Sequence, residues 1–318
     1  MKKQLLKGLI LPLICGIAAA ILSLSGGSAA VDWHNCLADP VFNLRLIRLL
    51  ASFTIGGSLA LAGLVFQAVL RNVLAEPFTL GVSGGASVGA ALAVILGLQL
   101  ISFWFVPLMA LAGSLLLLGV VLLLTGQKNS EGLLLSGVIA GTTASSILMY
   151  LVSIADRDEL AGLAWWMLGD LQAVELELLL PGTGILLAGT LFLRYFAREL
   201  NAVALGEEAA WNLGVNGKLF GRIFIVLASL LAAQTVAMAG LIAFVGLIVP
   251  HLIRRCYGTD HNWIVIPTVL WGGIFLILCD YLSRVLNDSH ELPIGVLTSA
   301  VGGALFIYVL NKRRSSNL

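Results

Sequence analysis

The chain is a succession of apolar runs of roughly membrane-crossing length, and its charges are sorted between them. The runs fall at 5–25, 46–70, 79–97, 103–125, 132–155, 176–193, 219–238, 240–253, 263–283 and 294–310. A membrane-spanning helix needs ~20 mostly apolar residues. If the runs alternate in direction, all but four of the 18 lysines and arginines fall on one side. The exceptions are Arg45, Arg48, Arg157 and Arg284. Cytoplasmic loops carry such an excess of positive charge, so the bias sets the orientation. Only 11% of residues are charged, against roughly 25% in an average soluble domain. Too little polar surface remains to coat a water-exposed globule. The expected fold is an all-α integral membrane protein of about ten transmembrane helices, with residues 1–318 forming a single domain.

Lys2, Lys3 and Lys7 place the amino terminus in the cytoplasm, and Lys312, Arg313 and Arg314 place the carboxyl terminus there. Arg71, Lys128, Arg194, Arg198, Lys218, Arg222, Arg254 and Arg255 fall on the same side. The first run, followed by Ser28-Ala29-Ala30, also has the outline of a cleavable leader. The many later runs make a retained first helix the simpler reading. Two loops exceed a turn. The outer one, Ala155 to Glu175, carries Trp165-Trp166, a pair suited to a membrane interface. The inner one, about 194–218, reads as a short amphipathic helix with Glu207 and Glu208 early and Gly214 as its stop. It is either a docking element or a helix resting on the bilayer. Ala62-Gly63-Leu64 recurs as Ala239-Gly240-Leu241, an echo too short to establish an internal repeat.

Much catalytic chemistry lacks its residues. Gly214-Val215-Asn216-Gly217-Lys218-Leu219 has neither the spacing nor the hydroxyl of a nucleotide-binding P-loop. His34, His251, His261 and His290 do not cluster, and Cys15, Cys36, Cys256 and Cys279 show no metal-ligand spacing. Neither a metal site nor a cofactor is expected, nor a nucleic-acid partner. Ionisable residues at bilayer depth usually mark an ion path. The clearest is Asp280, one helical turn from Arg284, a spacing that also suits a structural ion pair. Small residues collect at Gly81, Ser83, Gly84, Gly85, Ala86 and Gly89, and along the fifth run at Ser136, Gly137, Gly141, Thr142, Thr143, Ser145 and Ser146. Such residues allow close helix packing. In the fifth run the hydroxyls equally suit the lining of a path, with Ser136, Thr142, Thr143 and Ser146 as its candidates.

The run Gly240-Leu241-Ile242-Ala243-Phe244-Val245-Gly246-Leu247-Ile248-Val249-Pro250-His251-Leu252-Ile253-Arg254 resembles the signature of the FecCD-type permeases. These are membrane subunits of ABC importers for iron–siderophores, haem and cobalamin. Further motifs follow in the family's order. They are Arg71-Asn72-Val73-Leu74-Ala75-Glu76-Pro77, Leu80 to Ala86, Trp166-Met167-Leu168-Gly169, Leu205 to Val215, Gly258-Thr259-Asp260-His261, and Glu291-Leu292-Pro293-Ile294-Gly295. The resemblance runs from about Arg45 to the end. It departs at Ile47, Val73 and Ala304, where the family often has proline.

The resemblance implies a permease paired with a second permease subunit, identical or related, with the translocation path between them. Two ABC ATPase subunits would bind inside, and an extracytoplasmic substrate-binding protein would deliver the ligand outside. Gly206, Glu207, Glu208, Ala209, Ala210, Leu213 and Gly214 match the ATPase coupling region. Arg45 and Arg48, joined by Arg284, match basic residues that meet acidic groups of the binding protein; interfacial snorkelling is the alternative for Arg45 and Arg48. The competing function is a self-sufficient, ion-coupled secondary carrier.

Overall fold

The computed structural model describes residues 2–27, 31–32, 34, 38–125, 130–172, 174–286 and 291–315. Ser28, Ala29, Ala30, Cys36, Lys128 and His290 lie outside them. The described residues form thirteen α-helices and no strand. In chain order the helices are α1 (Lys2–Ser25), α2 (Pro40–Val69), α3 (Val82–Ile95), α4 (Phe105–Thr125), α5 (Ser130–Ile154), α6 (Arg157–Leu168) and α7 (Leu176–Tyr195). They continue as α8 (Ala197–Leu205), α9 (Glu207–Asn212), α10 (Gly217–Ala239), α11 (Val245–Tyr257), α12 (His261–Val285) and α13 (Ile294–Ser315).

Seven of these, α1, α2, α4, α5, α7, α10 and α12, are long and apolar enough to cross a membrane. The third and eighth expected spans shorten. α3 has 14 residues and α11 has 13, so each rises only about 20 Å of a ~30 Å hydrocarbon core. α11 starts five residues later than expected, because Gly240 ends α10 with φ +69° and Phe244 enters α11 in a left-handed conformation. The outer loop holds a helix that hydropathy alone did not reveal. α6 is capped by Asp156 and Glu159, whose Oε2 accepts from the Asp156 N–H at 2.9 Å. Trp165 is exposed, whereas Trp166 packs against α3.

α2 is the central strut, buried over most of its length against α12, α10, α11 and α7. Small residues allow this approach. A Cβ on Gly63 would overlap the Gly246 carbonyl of α11, and one on Gly56 the Gly272 carbonyl of α12. Without extra hydrophobic driving force between helices in lipid, such close packing is a principal source of association. The apparent echo between Ala62-Gly63-Leu64 and Ala239-Gly240-Leu241 has no structural counterpart. Gly63 is mid-helix, and Gly240 is a helix terminus.

The strut also repairs a break in α11. Pro250 has no N–H to give the Gly246 carbonyl one turn earlier. An unmatched carbonyl in hydrocarbon costs several kcal/mol. Gln67 of α2 supplies the missing donor, its Nε2 reaching Gly246 O at 3.2 Å and Leu247 O at 3.1 Å. Its Oε1 in turn accepts from Arg254 at 3.0 Å, and the same guanidinium donates to Leu64 O at 2.9 Å.

Replacing Gly63 by leucine is expected to lower stability by about 1–3 kcal/mol or more through overpacking. Gly119→Ala, where a Cβ meets nothing within 4 Å, should leave it unchanged or slightly raised. Thermal unfolding of the two variants in detergent checks the contrast; equal midpoints would show that the α2–α11 contact does not limit stability.

Candidate functional site

The inner-loop residues come together as one element. The chain makes two helices where sequence suggested one. α8 lies flat on the bundle through Ala197, Leu200, Ala202 and Val203, and α9 projects beyond it. Gly206 joins them at φ +113°, and Gly214 closes α9 at φ +76°. Both values lie where a side chain is strained, which accounts for glycine at each. The Val215 N–H bonds to Ala210 O at 2.9 Å and closes the turn. Ala210 is fully buried and rests against Gly217, so α9 is held from behind. Glu207 and Glu208 are exposed in the first turn, where acids complement the helix dipole. Glu207 pairs with Lys218 at 3.2 Å.

The outward face of this element is apolar. Leu213 is 62% exposed and Trp211 74% exposed. Sequence reasoning passed over Trp211; a tryptophan inside the polar stretch Glu207–Asn212 was the available signal. The base of α12 is tied to α8. Asn201 Nδ2 donates to Asp260 at 2.7 Å, and Asn201 Oδ1 accepts from the His261 N–H at 3.0 Å. Burial opposes ionisation of Asp260, but hydrogen bonds from Asn262 and Asn201 outweigh it and hold the carboxyl below its usual range.

The α5 candidates lie along one largely uncovered helix. Thr142, Thr143, Ser145 and Ser146 are exposed and Ser136 is half-buried, while Ala144 faces α3 and Gly137 faces Thr79 and Leu80 just before it. Thr142 and Thr143 both donate to Ile139 O at 2.9 Å, Ser145 to Gly141 O at 3.0 Å, and Ser146 to Thr142 O at 3.1 Å. The hydroxyl hydrogens of these four residues are therefore spent within the helix, and only their acceptor lone pairs face outward.

The three outer arginines also converge, but they point into the protein. Arg45 and Arg284 are 5% and 6% exposed. Arg45 donates to Leu24 O at 2.8 Å, and Arg284 to Gly26 O at 3.2 Å, Ser23 O at 3.0 Å and Ser23 Oγ at 2.8 Å. These carbonyls close α1 and lack intrahelical donors, so cationic donors suit them doubly. Asp280, fully buried, is shared by Arg48 at 2.7 Å and Arg284 at 3.1 Å. Arg48 also reaches Glu291 at 2.7 Å, and Glu291 accepts from Gln172 at 2.5 Å. The spacing of Asp280 and Arg284 thus gives the structural pair it suggested. Arg45 and Arg48 neither snorkel nor stand as open surface charges; each has partners within the chain. Among the described residues, no group of three or more histidine, cysteine, aspartate or glutamate side chains could hold a metal. Cys15, Cys256 and Cys279 are free thiols.

Known proteins resemble the chain over most of its length. The model of the FecCD transport family matches residues 11–312. The vitamin B12 import system permease protein BtuC of Yersinia enterocolitica is 36% identical over 319 aligned positions, covering 98% of this chain and 93% of that protein. An uncharacterized ABC transporter permease, YvrB of Bacillus subtilis, is 35% identical over 296, covering 90% of this chain and 82% of its own length. A structure described as an inward-facing, metal-chelate type ABC transporter superposes with a TM-score of 0.89 at 30% identity, covering 97% of this chain and 99% of that one. PsaBC of Streptococcus pneumoniae, at TM-score 0.62 and 19% identity over 84% of this chain and 91% of that one, shares the fold. With a family model spanning nearly its whole length, the chain belongs to the FecCD transport family and is a multi-pass inner-membrane permease of the ABC-importer type.

Proposed function

We propose that this permease forms half of a translocation path for a bulky metal chelate, of the siderophore-iron, haem or cobalamin class. A second permease subunit supplies the other half, two ABC ATPase subunits drive it from inside, and an extracytoplasmic binding protein delivers the ligand. Residues 1–318 act as one transmembrane unit with ten crossings and both termini inside. α3, α11 and α13 join the seven longer helices in this count. The vitamin B12 and metal-chelate relatives support the ligand class. The α5 face supports the path, because the hydroxyls of Thr142, Thr143 and Ser146, without free donors, offer a large ligand little to hold on to.

The observation that carries the reading is the inner element at 206–214. A helix braced through Ala210, locked between two positive-φ glycines, and bearing Trp211 and Leu213 outward, is built to receive a push from a protein partner. An exposed apolar pair of this kind is a natural interface core. Reconstitution tests the whole proposal. Liposomes holding the complete complex should accumulate the chelate only with ATP and binding protein. Accumulation by this chain alone under an ion gradient would establish the secondary carrier instead.

The outer rim around Arg45, Arg48 and Arg284 is the proposed contact for the binding protein. Because these groups are engaged internally, docking through Arg48 exchanges Glu291 for an acid of the partner.

Two outcomes separate these roles. Trp211→Ser should leave the membrane fold intact and weaken ATPase association by more than ~1 kcal/mol, as for an interface anchor. Ala210→Trp should uncouple ATP hydrolysis from uptake by deforming α9; retained uptake in both would remove the inner element from the mechanism. Glu291→Gln releases Arg48 and removes a charge that repels an acidic partner. It should tighten binding-protein docking by up to about fivefold at low salt. Weaker docking would assign Glu291, and not Arg48, to the contact.

A further inference from the structure

A cavity of about 650 Å³ opens at the cytoplasmic end of the bundle, where α2 and α4 end, α5 and α10 begin, and α8 meets α9. Its walls are chemically divided. Arg71, Lys218 and Arg222 line it with one acid, Glu207. That acid pairs with Lys218 in an exposed contact of 3.2 Å, which neutralises little. The other wall is aliphatic, with Leu122 and Leu123 of α4 and Ile225 and Val226 of α10. Leu123 is 83% exposed and Val226 47% exposed, so this wall continues onto the uncovered sides of two helices long and apolar enough to span a membrane.

The division runs along the helix axis. On α10, Lys218 and Arg222 are one turn apart, and Ile225 and Val226 follow one turn deeper. The stripe therefore passes from cationic at the interface to aliphatic in the core. Arg71 joins from the end of α2 in a left-handed conformation, φ +51°, with its guanidinium beside Gly206. A polar–apolar order set along the membrane normal matches a lipid standing in its leaflet. Basic pockets between helices on the cytoplasmic side select anionic headgroups.

We propose that this cavity binds one anionic phospholipid of the inner leaflet. Its phosphate lies among Arg71, Lys218 and Arg222, and an acyl chain runs along Leu122, Leu123, Ile225 and Val226. The occupant is a lipid and not a free anion, because the aliphatic wall is continuous with the bilayer. The site borders Gly206 and Glu207, so an occupied cavity buttresses the inner element from its membrane side. The inference uses the membrane orientation proposed above but not the coupling role. Lipid binding can fail while coupling stands, and the reverse.

Native mass spectrometry of the full-length chain, extracted in detergent and offered phosphatidylglycerol or phosphatidylcholine with identical acyl chains, tests it. The chain should retain phosphatidylglycerol preferentially. Lys218→Gln with Arg222→Gln should erode that preference by about fivefold for each cation removed. Leu123→Trp, which fills the aliphatic wall, should lower retention of both lipids. Arg194→Gln, a cytoplasmic cation outside this cavity, should change neither. Equal retention of the two lipids by the unaltered chain overturns the proposal, whatever the variants do. So does displacement of phosphatidylglycerol by millimolar inorganic phosphate, which would make the cavity a plain anion site.

Discussion

Backbone groups inside a bilayer have no water to turn to, and this chain breaks its helices in places where that matters. Pro250 strips a donor from the Gly246 carbonyl, and α1 ends with carbonyls at Ser23, Leu24 and Gly26. Each break is answered by a side chain from a neighbouring helix. Gln67 and Arg45 come from α2, and Arg284 from α12. The same residues that repair the backbone therefore fix the order of α1, α2, α11 and α12. Removing one leaves both a mismatched carbonyl and a misplaced helix.

Asp280 shows how charge is handled under this constraint. Alone and fully buried it would be costly, but it sits between two guanidinium groups, one of which also binds the Glu291 carboxylate and the other the carbonyls at the end of α1. A buried ion set of this kind need not add net stability over an apolar core; losing one member is what costs several kcal/mol. Its role here is to hold three helices at one depth. Glu291 and Gln172 extend the set to the start of α13 and the loop after α6. At the opposite end Asn201 clasps Asp260 and the base of α12 to α8. α12 is thus anchored at both of its ends.

Much of this was legible in the chain itself. Apolar runs and sorted charges give the helical membrane fold, and the Gly240–Arg254 run with its accompanying motifs gives the family. The positions of the inner element follow from Glu207, Glu208 and Gly214. What escaped had a physical cause in each case. α3 is short because Gly81 and Gly97, both at positive φ, bound it, and α11 starts late because Gly240 and Phe244 turn the chain before it, so apolar windows overran the start of each. α6 hid because a capping box, not apolarity, defines it. The inward turn of Arg45 and Arg284 depends on α1 ending beside them, and that of Arg48 on Asp280 and Glu291, contacts between residues far apart in sequence. Trp211 went unnoticed because its meaning lies in exposure, which sequence does not print.

The self-contained hydroxyls of α5 have one more consequence. Surfaces that trade hydrogen bonds when they meet must break them to separate. A face whose protons are already bound to its own helix carries no such toll. In the proposed pairing with a second permease subunit, such a face parts and rejoins with little more than a change in van der Waals contact and wetting, so the speed of that seam is governed by the helices that carry it and not by its own adhesion.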